Sequence, residues 1–236
     1  MFPLKDNIPR ARFPIVTVAL IAVNVVVYLL EIRHGGSFFG GPTAGVALRY
    51  GAIPNDLDHA HRLATALTSM FLHASFLHIF GNMIFLAIFG PTVEDAMGRV
   101  RFLTFYLLGG LIALGAQIGA DPGSTAPTLG ASGAIAAVLG GYILLYPRAR
   151  VIALVFIVFF FTLVEIPAVF LLGFWLVEQL YFSLAGLASV GGAGSSSEGV
   201  AYFAHIGGFA FGLLAIKLFV ARRSPRATAP PSPPVY

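Results

Sequence analysis

Ser132 and His205 place a hydroxyl and an imidazole in apolar surroundings, Gly130-Ala131-Ser132-Gly133 and Ala204-His205-Ile206-Gly207-Gly208. A histidine that removes the proton of a serine hydroxyl as it attacks a carbonyl can hydrolyse an acyl bond through a covalent acyl-enzyme. His78 and Asn82, four residues apart and so on one helix face, can donate to the oxyanion that this attack creates. Each residue also has a plainer reading. Serine among glycine and alanine is ordinary packing, Asn82 alone reads equally well as an interhelical hydrogen bond, and His205 alone as a packed or proton-path histidine. They become candidates because polar groups inside apolar helices are costly. The full set is His73, His78, Asn82, Ser132, Glu178 and His205. His73 reads as a residue that snorkels or hydrogen-bonds rather than one that reacts.

The elements that must carry these groups are membrane helices. Of 236 residues 58% are hydrophobic and 10% charged, with a mean hydropathy of +0.88, far from the soluble average of roughly a quarter charged. The apolar runs are continuous rather than alternating, which argues against β-barrel spans. Absence of cysteine excludes disulfides, thiolate metal sites and cysteine nucleophiles. A pI near 9.6 reflects topology here and not a nucleic-acid partner. No cofactor or metal is called for.

Six runs are long enough to cross: about Pro14–Leu30, Leu67–Phe89, Phe102–Gly119, Ala131–Tyr146, Pro167–Leu187 and Val200–Val220. The first lacks a small-residue cleavage site and reads as a helix, not a signal peptide. A seventh stretch, VIALVFIVFFFTLV between Arg150 and Glu165, is too short to cross and reads as an interfacial or re-entrant piece. Charge supports six crossings. With the N-terminus inside, Lys5, Arg10, Arg12, Arg99, Arg101, Arg148, Arg150, Lys217, Arg222, Arg223 and Arg226 lie inside, and only Arg33, Arg49 and Arg62 outside. A seventh crossing would spoil this bias. The expected organisation is a cytoplasmic segment 1–13, a helical domain 14–223 with a first outer loop at about 31–66, and a disordered proline-rich cytoplasmic tail 224–236. The bacterial inner membrane is the expected location. No internal repeat is visible, which weakens a transporter reading.

Runs two, four and six all start on the outer side. The fourth is short, so its head, carrying Ser132, lies roughly 8 Å below the outer surface if its foot is anchored at Pro147 and Arg148. His205 and His78 fall at similar depths, about 9 Å and 15 Å along their helices. Gly133, Ala137 and Gly141 in run four and Ala204, Gly208 and Gly212 in run six form stripes of small residues. Stripes of this kind let helix backbones approach closely. Facing each other, they bring the hydroxyl to the imidazole. The loop 121–129 must descend to the sunken head, and irregular backbone at that depth is tolerated where it lines a watery cavity. The free amides there, that of Ser132 included, favour developing negative charge.

These residues resemble the motifs of the rhomboid family of intramembrane serine proteases, from about Tyr50 to Gly212. His78-Ile-Phe-Gly-Asn82 is similar to its HxxxN element, Gly130-Ala-Ser132-Gly133 to its GxSG nucleophile, and Ala204-His205-Ile-Gly-Gly208-Phe-Ala-Phe-Gly212 to its AHxxGxxxG helix. Gly90-Pro-Thr-Val-Glu94-Asp-Ala-Met-Gly98 is similar to its GxxxExxxG signature, in which the glutamate is structural. The resemblance implies an all-α, six-transmembrane-helix bundle with a short, sunken fourth helix and a Ser132–His205 dyad without a third carboxylate. It also implies an oxyanion hole from the Ser132 amide, His78 and Asn82, and cleavage of transmembrane protein substrates near the outer face. Two positions depart from the family pattern. Ala64-Thr65 stand where Trp-Arg is common, with Arg62 nearby, and Ala136 stands where an aromatic often lies beneath the histidine. Glu178 receives no role from these motifs and reads as packing or substrate-gate tuning. The competing readings are a catalytically silent membrane binding or quality-control protein, and a proton-coupled carrier using His78, His205 and Glu178.

Overall fold

The computed structural model describes residues 2–57, 59, 62–157, 160–189 and 201–220. In chain order the elements are β1 (Phe2–Asp6), α1 (Ile15–Arg33), α2 (Ala44–Tyr50), α3 (Thr65–Thr68), α4 (Phe76–Met97), α5 (Arg99–Ala120), α6 (Ser132–Leu145), β2 (Arg150–Ile157), β3 (Phe160–Pro167), α7 (Ala168–Ser189) and α8 (Tyr202–Phe219). Among the described residues α1, α4, α5 and α8 are long and apolar enough to cross a membrane. The shorter apolar α6 and α7 complete the six-helix bundle. The proline-rich tail expected at 224–236 lies outside the described residues.

α6 is the axis of the bundle. Every residue from Gly133 to Tyr142 is buried, on all sides of the helix, the pattern of a helix enclosed by other helices. α8 and α5 pack on it most extensively. The contact with α8 depends on missing side chains. A methyl group at Gly208 would strike the carbonyl oxygen of Gly133, and one at Gly212 would strike that of Ala137. The two stripes therefore interleave, backbone against backbone.

The second crossing differs from expectation in its limits. Chain from Thr65 to Phe71 forms only α3 and a single 3-10 turn, Ser69–Phe71. α4 then starts after Ser75, whose Oγ accepts the His78 N–H at 3.2 Å, a serine N-cap. It runs through Pro91 and stops at Gly98, which adopts φ +83°. Only glycine enters that region without strain, and it lets α5 begin at the next residue. His73 thus precedes the helix rather than lying inside it.

The stretch read as an interfacial or re-entrant piece is a β-hairpin, β2 paired antiparallel with β3 from Arg150↔Pro167 to Ile157↔Phe160. Its valines, isoleucines and phenylalanines favour extended backbone, and Val151 and Ala153 alternate inward. Residues 2–6, expected as part of a segment outside the helical domain, add β1 to this hairpin, with Phe2 opposite Leu154 and Asp6 opposite Val151. The helical bundle therefore carries one sheet that the sequence reading lacked. Buried Asp6 ties the sheet to the helices. Its carboxylate accepts from Thr92 of α4 at 2.6 Å, from Tyr142 of α6 at 3.2 Å and from Arg10 at 2.8 Å. The foot of α6 is anchored there.

The loop between α1 and α4, expected on the outer side, is held by Arg62. Its guanidinium donates to the carbonyls of Leu48 at 2.7 Å and Arg49 at 3.3 Å, near the end of α2, and pairs with Asp56 at 2.9 Å. Thr68 Oγ donates to the Tyr50 carbonyl at 2.7 Å. Planar, multidentate donation by arginine suits the unpaired carbonyls of a helix end, so Arg62 and Thr68 fasten this loop although Ala64-Thr65 replace the Trp-Arg pair.

Candidate active site

The head of α6 is set by the loop before it. Thr128 and Ala52 exchange backbone hydrogen bonds at 2.8 and 3.2 Å, which pins the descending loop to the first outer loop. Gly130, at φ +120°, then donates its N–H to the Ser69 carbonyl at 2.9 Å. That conformation is closed to most side chains and turns the chain so that Ser132 opens the helix. Amides of a first helical turn have no intrahelical acceptor.

His205 lies in the first turn of α8. The Ala204 N–H is received by Gln117 Oε1 of α5 at 3.3 Å, a side-chain cap for that helix head. The imidazole is buried, and its Nε2 lies 2.7 Å from Ser132 Oγ. On the other side Nδ1 lies 2.7 Å from Gln179 Oε1 of α7. The Trp175 ring packs 5.6 Å from the imidazole at 39°, and Tyr202 meets it edge-on at 6.4 Å. Trp175 and Gln179 are separated by one helical turn and grip the histidine together, so its orientation needs no aromatic at Ala136.

His78 and Asn82 project from one face of α4 toward the backbone just before Ser132. A methyl group on Gly130 would stand 2.7 Å from His78 Cε1, 2.8 Å from its Nε2 and 3.7 Å from Asn82 Nδ2. Asn82 is buried, and its Nδ2 has no hydrogen-bond partner. A buried amide left unpaired costs free energy unless something arrives to accept from it. Ser132 thus touches His205, while His78 and Asn82, the latter with an unused donor, lie against Gly130 two residues before it.

His73 does not snorkel. It is fully buried before α4, with its ring 5.2 Å from that of His78 and its N–H donating to Glu31 Oε1 at 3.3 Å. Burial first, and the neighbouring His78 second, hold its imidazole down at about 3, so it stays neutral at physiological pH. Glu178 is exposed on α7, while the next residue, Gln179, is buried and touches His205. Gln179 is not among the polar groups singled out from the sequence. Gln179 nevertheless shares the buried stripe Ala168, Leu172, Gln179 and Ser183, and that helical period was the signal available.

Glu94 sits apart from the dyad and joins two helices. Its carboxylate accepts from the Val16 N–H at 3.0 Å, the Thr17 N–H at 2.8 Å and Thr17 Oγ at 2.7 Å. Carboxylate acceptance by the first amides of α1 is a cap in trans, favoured by the helix dipole. Gly90, one turn earlier on α4, packs against Thr17, so the Gly90–Gly98 motif secures α1.

The family model of the Rhomboid domain matches residues 60–222. The chain is 29% identical over 163 residues to the "Rhomboid protein 1, mitochondrial" of Saccharomyces cerevisiae, covering 66% of this chain and 42% of that protein. It is 34% identical over 159 residues to the "RHOMBOID-like protein 12, mitochondrial" of Arabidopsis thaliana, covering 56% and 44%. It is also 34% identical over 91 residues to the "Presenilin-associated rhomboid-like protein A, mitochondrial" of Danio rerio, covering 38% and 24%. The chain thus spans less than half the length of these relatives. Their names place them in mitochondria, which argues against the bacterial inner membrane expected from the sequence.

Proposed function

Because this chain belongs to the rhomboid family, we propose that it is a multi-pass serine endopeptidase that hydrolyses peptide bonds of transmembrane proteins through a Ser132–His205 dyad. The observation that carries this reading is the 2.7 Å contact between the half-buried Ser132 Oγ and Nε2 of the buried His205. Ser132 Oγ attacks the scissile carbonyl while Nε2 takes its proton. The carbonyl oxygen, now negative, is received by the Ser132 amide, the unpaired Asn82 Nδ2 and the His78 ring beside Gly130. The imidazolium returns its proton to the leaving amine as the tetrahedral adduct collapses to an acyl-enzyme. Water, deprotonated by His205, then attacks the acyl carbon and releases the new carboxyl terminus.

The substrate class follows from the site's setting. The dyad is contributed by helices of a membrane bundle, so a scissile bond reaches it from a neighbouring transmembrane segment, near the face where α4, α6 and α8 begin. Both described ends of the bundle, β1 and the C-terminus of α8, then face the side rich in arginine and lysine, the inner side by the positive-inside rule. The silent binding reading loses weight because nucleophile and base are both present and touching. The proton-carrier reading loses Glu178, which is exposed while His205 is buried. Cleavage of single-span protein substrates in liposomes by the wild type, and none by Ser132→Ala, tests the proposal; equal cleavage by both rejects it.

A further inference from the structure

We propose that Gln179 is a positioning residue that selects the tautomer of His205 and so makes the site a Ser132–His205–Gln179 chain; this rests on the dyad reading above. A neutral imidazole carries one N–H, and only the tautomer with Nε2 unprotonated can take the serine proton. Gln179 presents its carbonyl oxygen to Nδ1 at 2.7 Å. An oxygen acceptor there draws the proton to Nδ1 and leaves the Nε2 lone pair facing Ser132 Oγ at 2.7 Å. The glutamine does this without charge. A carboxylate at the same place would also stabilise the imidazolium, at the cost of burying an ion.

The placement is specific. Gln179 is 6% exposed, lies one turn after Trp175, whose ring packs on the same imidazole, and belongs to the inward stripe of α7. Gln179 fixes rotation and proton position, and Trp175 fixes the plane. From the other elements packed around the ring, the titratable group acting on it is His78 of α4; Ser132 faces it from α6, and Glu178 is exposed. α7 thus carries a determinant of His205 chemistry although no family motif noted above falls on that helix.

The test compares wild type, Gln179→Leu and Gln179→Glu as full chains in detergent, by the rate of fluorophosphonate labelling of Ser132 and by kcat and KM on a transmembrane reporter from pH 5 to 9. Gln179→Leu, apolar and without an acceptor, is expected to lose at least about tenfold in kcat with KM little changed, since an unheld ring populates the unproductive tautomer. Gln179→Glu is expected to stay active, with the acidic limb of its kcat/KM profile moved about one unit to higher pH, because a carboxylate favours the imidazolium. A Gln179→Leu enzyme with wild-type kcat and pH profile overturns the proposal. So does a folded Gln179→Glu enzyme whose profile superimposes on that of wild type, which keeps the test decisive if the leucine variant fails to fold. Wild type that never reacts with the probe rejects the dyad reading itself, whereas reactive wild type with indifferent Gln179 variants rejects only the role of Gln179.

Discussion

Gly208 of α8 lies so close to Gly133 of α6 that the carbonyl oxygen of Gly133 occupies the place where a Cβ on residue 208 would stand. Backbone proximity at this point sets the separation of the helices that carry Ser132 and His205. Gly208→Val must push them apart or distort a fully buried helix, and overpacking of this kind costs about 1–3 kcal/mol or more. The variant is expected to melt at lower temperature in detergent and to lose probe labelling; unchanged melting and labelling would remove the stripes from the account of the site.

Asn82 holds its unpaired amide toward the head of α6. Loss of one oxyanion donor elsewhere lowers turnover by about 10²–10³-fold. Asn82→Ala is expected to reduce kcat by about 10²-fold with expression and melting temperature near wild type, since no hydrogen bond of that amide is broken. Full activity would reduce Asn82 to packing.

Glu94 accepts three hydrogen bonds at the start of α1. Bonds to a charged acceptor contribute about 1.5–3 kcal/mol each and are not additive. Glu94→Ala is expected to lower thermal stability by about 3 kcal/mol in detergent, while the folded fraction keeps its probe reactivity, because the dyad is not touched. A stable but unreactive Glu94→Ala protein would give this residue a part in the chemistry instead.

Glu178 is exposed. Glu178→Gln is accordingly expected to change kcat/KM by less than about twofold, in keeping with the small effect of surface substitutions. A tenfold loss in reporter cleavage would restore the gate-tuning role read from the sequence.

The helices and the Ser132–His205 juxtaposition were legible because their signals are local or additive. Apolar runs give spans, and small-residue spacing gives the faces that meet. Glu94 was legible through its motif, although its partners Val16 and Thr17 were not. The sheet was hidden because residues 150–167 are short, continuously apolar strands, a pattern shared with buried helix, and because pairing with Phe2–Asp6 spans about 150 positions of sequence without a turn signal. His73 was assigned to the second helix because composition does not reveal where Ser75 caps it. Gln179 was hidden because its inward placement on α7 shows only in the spacing it shares with Ala168, Leu172 and Ser183, which does not set it apart from the exposed Glu178 beside it.

The most direct measurement is reaction of the purified protein with a fluorophosphonate or isocoumarin probe, followed by mass analysis of the modified peptide. A single adduct on Ser132, absent in Ser132→Ala and lost from His205→Ala, is the result expected of a serine made nucleophilic by His205. Labelling that persists undiminished in either variant would contradict it.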